Sequence, residues 1–269
     1  MSFDLPNIDN ITPVLSAAGK VILEIYNNQA IKVDYKADDS PLTQADTAAN
    51  EIIEAYLSSR FDFPIVSEEG TQLNYEQRKS FTTFWLVDPL DGTKEFINRN
   101  GEFTVNIALI KNGKAVFGGI YVPVQDTYYF GDEKNGAFKK VGNGPLQALK
   151  VNDSLSGIIA VGSKSHAKPE EQDFYNAIGV QESVAVGSSL KFCLIAEGKA
   201  SVYFRSGPTM EWDTAAGQAI VKAAGGNVYV DQSASKEFTY NKENLLNGSF
   251  VCAANKALLA NVLNDKKND

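Results

Sequence analysis

The sequence predicts a mixed α/β (α+β) fold. Three observations carry that expectation: closely spaced strand and hairpin signals in the first half, regular strand–helix alternation in the second, and a length of 269 residues. That length suits one large α/β domain or two closely packed halves. Residues 1–145 read as an N-terminal α+β half with a largely antiparallel sheet. Residues 146–269 read as a C-terminal α/β half, joined near Gly142 to Asp153.

The opening segment places Ile8, Ile11, Leu15, Ala18, Ile22 and Ile25 at three- and four-residue steps, an amphipathic helix with Thr12-Pro13 in its first turns. A polar stretch, 36–41, ends the pattern. A second helix spans 43–59, with Ala45, Ala49, Ile52, Ile53 and Tyr56 on its apolar side. Short strands follow at 64–67 and 84–87. Runs at 103–110 and 115–122 flank Lys111-Asn112-Gly113-Lys114, a hairpin signal, and 128–130 and 137–141 complete the antiparallel set. The second half alternates strand 158–161, helix 169–178, strand 183–186, helix 190–197, strand 201–204 and helix 213–224, closed by Gly225-Gly226. Strands 227–230 and 250–253 and a C-terminal helix from Lys256 end the chain, with a frayed tail at 265–269.

Composition narrows the function. The 33 acidic and 25 basic residues leave a formal charge of −8, which argues against a nucleic-acid polymer as partner, because such a protein needs a basic face to displace counterions. A small anionic substrate stays open, since bound cations reverse a local field. Cys193 and Cys252 stand in apolar surroundings and read as buried thiols; with one histidine, a zinc site is not expected. There is no secretory signal at the start and no apolar run near the roughly 20 residues that span a bilayer. The expected location is therefore cytoplasmic.

The chemistry concentrates in acids at the ends of regular elements. Asp88-Pro89-Leu90-Asp91-Gly92-Thr93 holds two carboxylates three residues apart, and mutual repulsion calls for compensation, as a divalent cation with oxygen ligands provides. Asp-Pro and Asp-Gly are also ordinary turn dipeptides. Glu68 ends a strand. Asp46 lies three residues after Thr43, as in a capping box, and Asp213 opens a helix of small residues; both also read as plain caps. Together they suit cleavage of a phosphate monoester, for which carboxylate-bridged magnesium ions position water, neutralise charge and stabilise the leaving oxygen. The Asp91-Gly92-Thr93 amides would cradle the phosphate. Gly162-Ser163-Lys164-Ser165-His166 and Gly187-Ser188-Ser189-Leu190-Lys191 each combine hydroxyls with a cation, as an anionic ligand requires, and read equally as a polar loop and a helix cap. Arg205 is open in the same way.

The strings Asp88-Pro-Leu-Asp91-Gly-Thr93 and Glu211-Trp-Asp213-Thr-Ala-Ala-Gly217 resemble the paired signature of the inositol monophosphatase superfamily. Asp39-Ser-Pro-Leu-Thr-Gln-Ala-Asp46, Ser67-Glu68-Glu69, Lys94-Glu-Phe, Gly101-Glu-Phe-Thr and Gly187-Ser-Ser-Leu-Lys-Phe192 narrow the resemblance to the CysQ-type bisphosphate nucleotidases, over most of the chain. The resemblance implies a layered αβαβα sandwich of the inositol monophosphatase and fructose-1,6-bisphosphatase type. It implies a magnesium-dependent, lithium-sensitive enzyme that removes the 3′-phosphate of adenosine 3′,5′-bisphosphate, with the sulfated nucleotide as a related substrate. By resemblance, Glu68, Asp88 and the Leu90 carbonyl hold one magnesium ion; Asp88, Asp91 and Asp213 hold a second; Glu68 helps place a third. Asp46 orients Thr93, Thr93 and Glu68 activate water, and the Gly92 and Thr93 amides bind the scissile phosphate. His166, Ser188, Lys191 and Arg205 match nucleotide-holding positions. Phe204 departs from the pattern, standing where relatives commonly have proline.

Relatives are linked to sulfate assimilation and in some cases to the inner face of the membrane, which is compatible with peripheral association here. An inositol monophosphatase or fructose bisphosphatase activity would use the same metal chemistry. A haloacid-dehalogenase phosphatase is disfavoured, because Pro89 falls where its nucleophile would stand. A non-enzymatic module with a structural cation is the remaining alternative.

Overall fold

In the computed structural model the described residues are 6–28, 33–35, 41–165 and 168–260, with the backbone alone for 33–35 and 41–42. Helix α1 (Ile8–Asn27) starts at Asn7, whose side chain accepts from the Asn10 amide at 2.9 Å, and Pro13 falls in its second turn without ending it. Strands β1 (Val33–Tyr35) and β2 (Pro41–Thr43) pair antiparallel and lead into α2 (Gln44–Arg60). Of the polar break and of the Asp39 string, residues 36–40 lie outside the described residues. Then come β3 (Ile65–Ser67), α3 (Tyr75–Arg78), β4 (Thr83–Asp91), α4 (Thr93–Ile97), β5 (Thr104–Lys111), β6 (Lys114–Val122), β7 (Thr127–Asp132), β8 (Gly136–Val141) and β9 (Gln147–Leu149). They form a seven-stranded sheet in chain order, antiparallel except for the β3–β4 pair. Asn112 and Gly113 make the β5–β6 hairpin, both with positive φ (51° and 73°), as a tight two-residue turn requires.

A second sheet has the order β11-β10-β12-β16-β14. It is built from β10 (Ile159–Ser163), β11 (Glu182–Val186), β12 (Val202–Arg205), β14 (Asn227–Val230) and β16 (Phe250–Ala253), with α5 (Pro169–Ala177), α6 (Leu190–Ala196) and α7 (Glu211–Ala223) between strands. A two-stranded ladder, β13 (Thr209–Met210) with β15 (Leu246–Asn247), flanks the start of α7. From Lys256 the chain makes a 3-10 turn to Leu259 and is helical at Ala260; the remainder of the expected C-terminal helix, 261–269, lies outside the described residues. The pairs β1–β2 and β13–β15, strand β9 and helix α3 escape the sequence reading because two to four residues are too few to establish a period.

Side-chain alternation sorts the core into three layers. Trp85 and Val87 on β4, with Val105, Ile107 and Leu109 on β5, meet Ile11, Leu15, Ile22, Ala49 and Ile53 of α1 and α2. From the opposite face, Phe84, Leu86, Ala108 and Ile110 meet α6, α7 and the inner face of the second sheet, including Tyr203, Phe250 and Cys252. The outer face of that sheet, through Ala160, Val202, Phe204 and Val251, buries Phe174 and Tyr175 of α5. The order is therefore helix, sheet, helix, sheet, helix: the layered sandwich expected.

Two glycines let the central helix approach the first sheet. A Cβ on Gly118 would lie 2.3 Å from the Ala216 carbonyl oxygen, and one on Gly131 would lie 2.5 Å from Ile220 Cα. We expect Gly118→Ala and Gly131→Ala each to cost about 1–3 kcal/mol, the usual scale of overpacking. That lowers the melting temperature by roughly 2–4 °C per kcal/mol. Gly248→Ala, with open space around it, should stay within about 0.5 kcal/mol. Thermal unfolding that ranks the three alike would contradict this packing.

Candidate active site

Strand β4 does not stop before the aspartates, as a turn would require; it runs on through Asp91. Asp88 pairs with Asn106 and Asp91 with Thr104, so three steps on β4 match two on β5. The extra residue is a β-bulge, and Pro89, which has no N–H to donate, lies within it. In a regular strand, side chains three apart face opposite sides of the sheet. The bulge removes that opposition, and both carboxylates line one cavity of 310 Å³.

Other elements deliver their acids to the same place. Glu68 follows β3, its amide donating to the Val87 carbonyl at 3.1 Å. Asp213 sits in the first turn of α7, where its Oδ2 accepts from the Met210 amide at 2.8 Å. The start of α7 is itself anchored: fully buried Glu211 accepts from the Asn241 and Lys242 amides at 2.7 and 3.0 Å and from Lys242 Nζ at 2.6 Å. One carboxylate oxygen each of Glu68, Asp88 and Asp213 lies within 4.8 Å of the other two. Asp91 is outside that trio but lines the same cavity.

The electrostatics are those of crowded, desolvated acids. Burial, and then the charges of Glu68, Asp91, Asp213 and Asp46, push Asp88 well above the usual carboxylate range. Burial and then Asp91 and Glu68 do the same to Asp213. Asp91 is raised by burial, against the lowering influence of Lys191 and of hydrogen bonds from Ser189 and Asn106. Buried Lys191 is lowered by desolvation although Asp91 and Glu95 oppose the change. Hard carboxylate oxygens, crowded and desolvated, suit a divalent cation, which is the compensation such a group needs.

Asp46 stands one step behind. Its Oδ2 accepts from the Thr43 amide and hydroxyl at 2.8 and 2.6 Å, completing the capping box of α2, while Oδ1 accepts from Thr93 Oγ1 at 3.3 Å. The capping and functional readings of Asp46 are thus compatible, because they use different oxygens. Burial raises this carboxyl as well. Gly92, at φ 91°, turns the chain into α4 and places Thr93 on the cavity wall.

Leu90, Gly92, Thr93, Ser188, Lys191 and Arg205 line the cavity with Glu68, Asp88, Asp91 and Asp213, and Glu95 is a fifth acid of the lining. His166 lies outside the described residues. Lys191 Nζ donates to the Ser188 and Val186 carbonyls at 2.6 and 3.3 Å and sits 5.5 Å from the Tyr203 ring centre. The Phe204 amide donates to Tyr175 Oη at 3.1 Å, a bond that a proline at this position could not make. Both cysteines are buried, and Cys193 packs in the central core as expected. The sequence reading assigns no site role to Tyr203, Thr209 and Phe250 of the lining, nor to Asn106, whose amide donates to Asp91. For Asn106 a signal existed: Thr104 and Asn106 are polar residues two apart within an otherwise apolar strand, hence on one face of it.

The fold and this acidic cavity define a member of the inositol monophosphatase family, to which the chain belongs: the model of that family matches residues 7–268. The chain is 42% identical over 245 residues to the 3′(2′),5′-bisphosphate nucleotidase CysQ of Escherichia coli strain K12, covering 90% of this chain and 98% of that protein. It is 31% identical over 257 residues to the CysQ of Haemophilus influenzae, covering 93% of each. The crystal structure of CysQ from Bacteroides thetaiotaomicron, 44% identical, superposes with a TM-score of 0.81 over 92% of this chain and 97% of that one. An IMPase from Thermotoga maritima shares the fold at 22% identity, with a TM-score of 0.77 over 97% of this chain and 98% of its own.

A pH dependence follows. Folded-state values of Asp88 and Asp213 lie above their ordinary value of 3.8, so without a cation the fold binds more protons than the unfolded chain. Stability of the ion-free protein therefore falls as pH rises from near 3.8 through the raised values. A divalent cation replaces those protons, so its gain in melting temperature should shrink as pH is lowered through the raised values. Asp88→Asn should raise the melting temperature in chelator and suppress the cation-induced gain. A gain independent of both pH and Asp88 would contradict the assignment.

Proposed function

We propose that the chain is a magnesium-dependent phosphomonoesterase that removes the 3′-phosphate of adenosine 3′,5′-bisphosphate, leaving AMP and phosphate, with the sulfated nucleotide as a related substrate. The observation that carries this reading is the Asp46–Thr93 pair beside the Glu68, Asp88 and Asp213 oxygens, in a cavity that Lys191 and Arg205 also line. The bisphosphate nucleotidases at 42% identity support the substrate class.

On this reading Glu68, Asp88, Asp91, Asp213 and the Leu90 carbonyl hold two to three magnesium ions. When bound, these ions supply charge neutralisation and Lewis acidity at the phosphate. The chain's own groups do the rest. Thr93 Oγ1 spends its proton on Asp46 Oδ1, so its lone pairs accept a hydrogen bond from the attacking water, and Glu68 is the second acceptor. Water oxygen bonds to phosphorus as the bond to the 3′-oxygen breaks. One water proton leaves to Glu68, the freed 3′-oxygen takes up one from solvent, and Glu68 returns its proton to solvent. The ester and water thus become a free 3′-hydroxyl and hydrogen phosphate. The Gly92 and Thr93 amides hold the scissile phosphate; Ser188, Lys191, Arg205 and His166 hold the remainder of the nucleotide. Residues 1–145 thus supply most of the metal ligands, and 146–269 supply Asp213 and the recognition loops. Lithium sensitivity, cytoplasmic location and peripheral membrane association belong to the same reading; no helix among the described residues is long and apolar enough to cross a membrane.

A phosphate-release assay with magnesium tests it. Adenosine 3′,5′-bisphosphate should be turned over faster than inositol monophosphate or fructose bisphosphate, and lithium should inhibit. Equal or better turnover of the inositol ester would overturn the substrate assignment. Asp88→Asn and Asp213→Asn should lose several orders of magnitude, because the ions supply most of the barrier reduction. Thr93→Ala should keep metal binding and slow turnover by roughly a hundredfold or more; wild-type rates in that variant would remove its role in activating water.

A further inference from the structure

Asp91 is held unlike the other acids of the cavity. Asp88 Oδ1 accepts from the Leu90 amide at 3.1 Å, Asp213 Oδ2 from the Met210 amide and Asp46 Oδ2 from the Thr43 amide, all neighbours in sequence. Asp91 Oδ2 instead receives Ser189 Oγ at 2.7 Å, from the residue just before α6, and Asn106 Nδ2 at 3.4 Å, from β5. Both donors converge on Oδ2, and among the described residues no hydrogen bond reaches Oδ1.

The polarity of this network follows from a single charge. An ionised carboxylate only accepts, so Asn106 must turn its NH₂ toward Asp91, and the same NH₂ donates to Ser189 Oγ at 2.9 Å. Ser189 therefore accepts from Asn106 and spends its one proton on Asp91, the Asp213 carbonyl at 3.2 Å being the more distant acceptor. Asn106 Oδ1 then faces Thr104 Oγ1 at 3.0 Å and takes its proton. Thr104 in turn accepts from Ser188 Oγ at 2.9 Å. Thr104, Asn106 and Ser189 are all essentially buried, so water does not compete for these bonds.

We propose that Ser189 and Asn106 are positioning residues that clamp Asp91 Oδ2 and so present Oδ1 to the catalytic cation. The terminal torsion of an aspartate is broad, whereas magnesium demands oxygens at about 2.0–2.1 Å in near-octahedral array. A carboxylate fixed from two sides meets that demand without first being ordered by the ion. Partners of this kind behind a ligand tune affinity by about 10–100-fold. The inference rests on the reading of Asp91 as a metal ligand.

The test is Mn²⁺ binding to the full chain by isothermal titration calorimetry, with thermal unfolding as a check of folding. Ser189→Ala and Asn106→Ala should weaken one class of Mn²⁺ site by about 10–100-fold. Both should raise the metal concentration for half-maximal phosphate release by a similar factor, and turnover should recover at saturating metal. Ser189→Thr, which keeps the hydroxyl, should hold Mn²⁺ affinity close to that of the unaltered chain. Asp91→Asn should lose that class of site. Loss in Asp91→Asn with unchanged affinity in Ser189→Ala would overturn the clamp alone, as would equal loss in Ser189→Ala and Ser189→Thr. Unchanged binding in Asp91→Asn, or no Mn²⁺ binding by the unaltered chain, would overturn the metal reading and the clamp with it.

Discussion

Mutual repulsion among crowded, partly desolvated carboxylates is the constraint on which this molecule depends. Glu68, Asp88 and Asp213 bring oxygens within 4.8 Å of one another, burial penalises the charges of Asp88 and Asp213, and Asp91 lines the same cavity. Coulomb repulsion at such separations is substantial at any effective dielectric appropriate to a protein interior. The fold must hold the acids there before any counter-ion arrives. The surrounding elements provide that restraint.

The restraint has three parts. The sandwich supplies rigidity: β4 and β5 are buried on both faces, Trp85 and Val87 on one side and Phe84 and Leu86 on the other, so the strand bearing Asp88 has no solvent-side freedom. The bulge then aims Asp88 and Asp91 into one cavity, which an unbroken strand does not do. Local amides fix one oxygen of three of the aspartates: the Leu90 amide holds Asp88, the Met210 amide Asp213, and the Thr43 amide Asp46. Each bond leaves the other oxygen for a second task. At Asp213 a helix-start cap thus leaves an oxygen for the metal ligation proposed above.

Much of this architecture is legible in the chain. The three- and four-residue spacing of α1, the Thr43–Asp46 box of α2, the Asn112-Gly113 hairpin and the alternating strand and helix of the second half all follow from local physics, and the structure contains each. Asp88, Asp91, Glu68 and Asp213 stand out because acids at element ends are conspicuous against apolar flanks. The bulge was not legible, since Pro89 and the aspartates also spell a turn, and only pairing with β5 separates the two. Ser189 and Asn106 were hidden for a related reason: their meaning lies in contacts 98 and 15 residues away from Asp91. Gly118 and Gly131 are similar, because nothing in their own neighbourhood announces α7 lying across them.

The most direct measurement is anomalous diffraction from crystals soaked in Mn²⁺. Strong peaks should appear within coordinating distance of the Glu68, Asp88 and Asp213 oxygens, with a second ion reached by Asp91 Oδ1. Diffraction showing no anomalous density among those side chains, or density at oxygens elsewhere on the chain, would contradict the account.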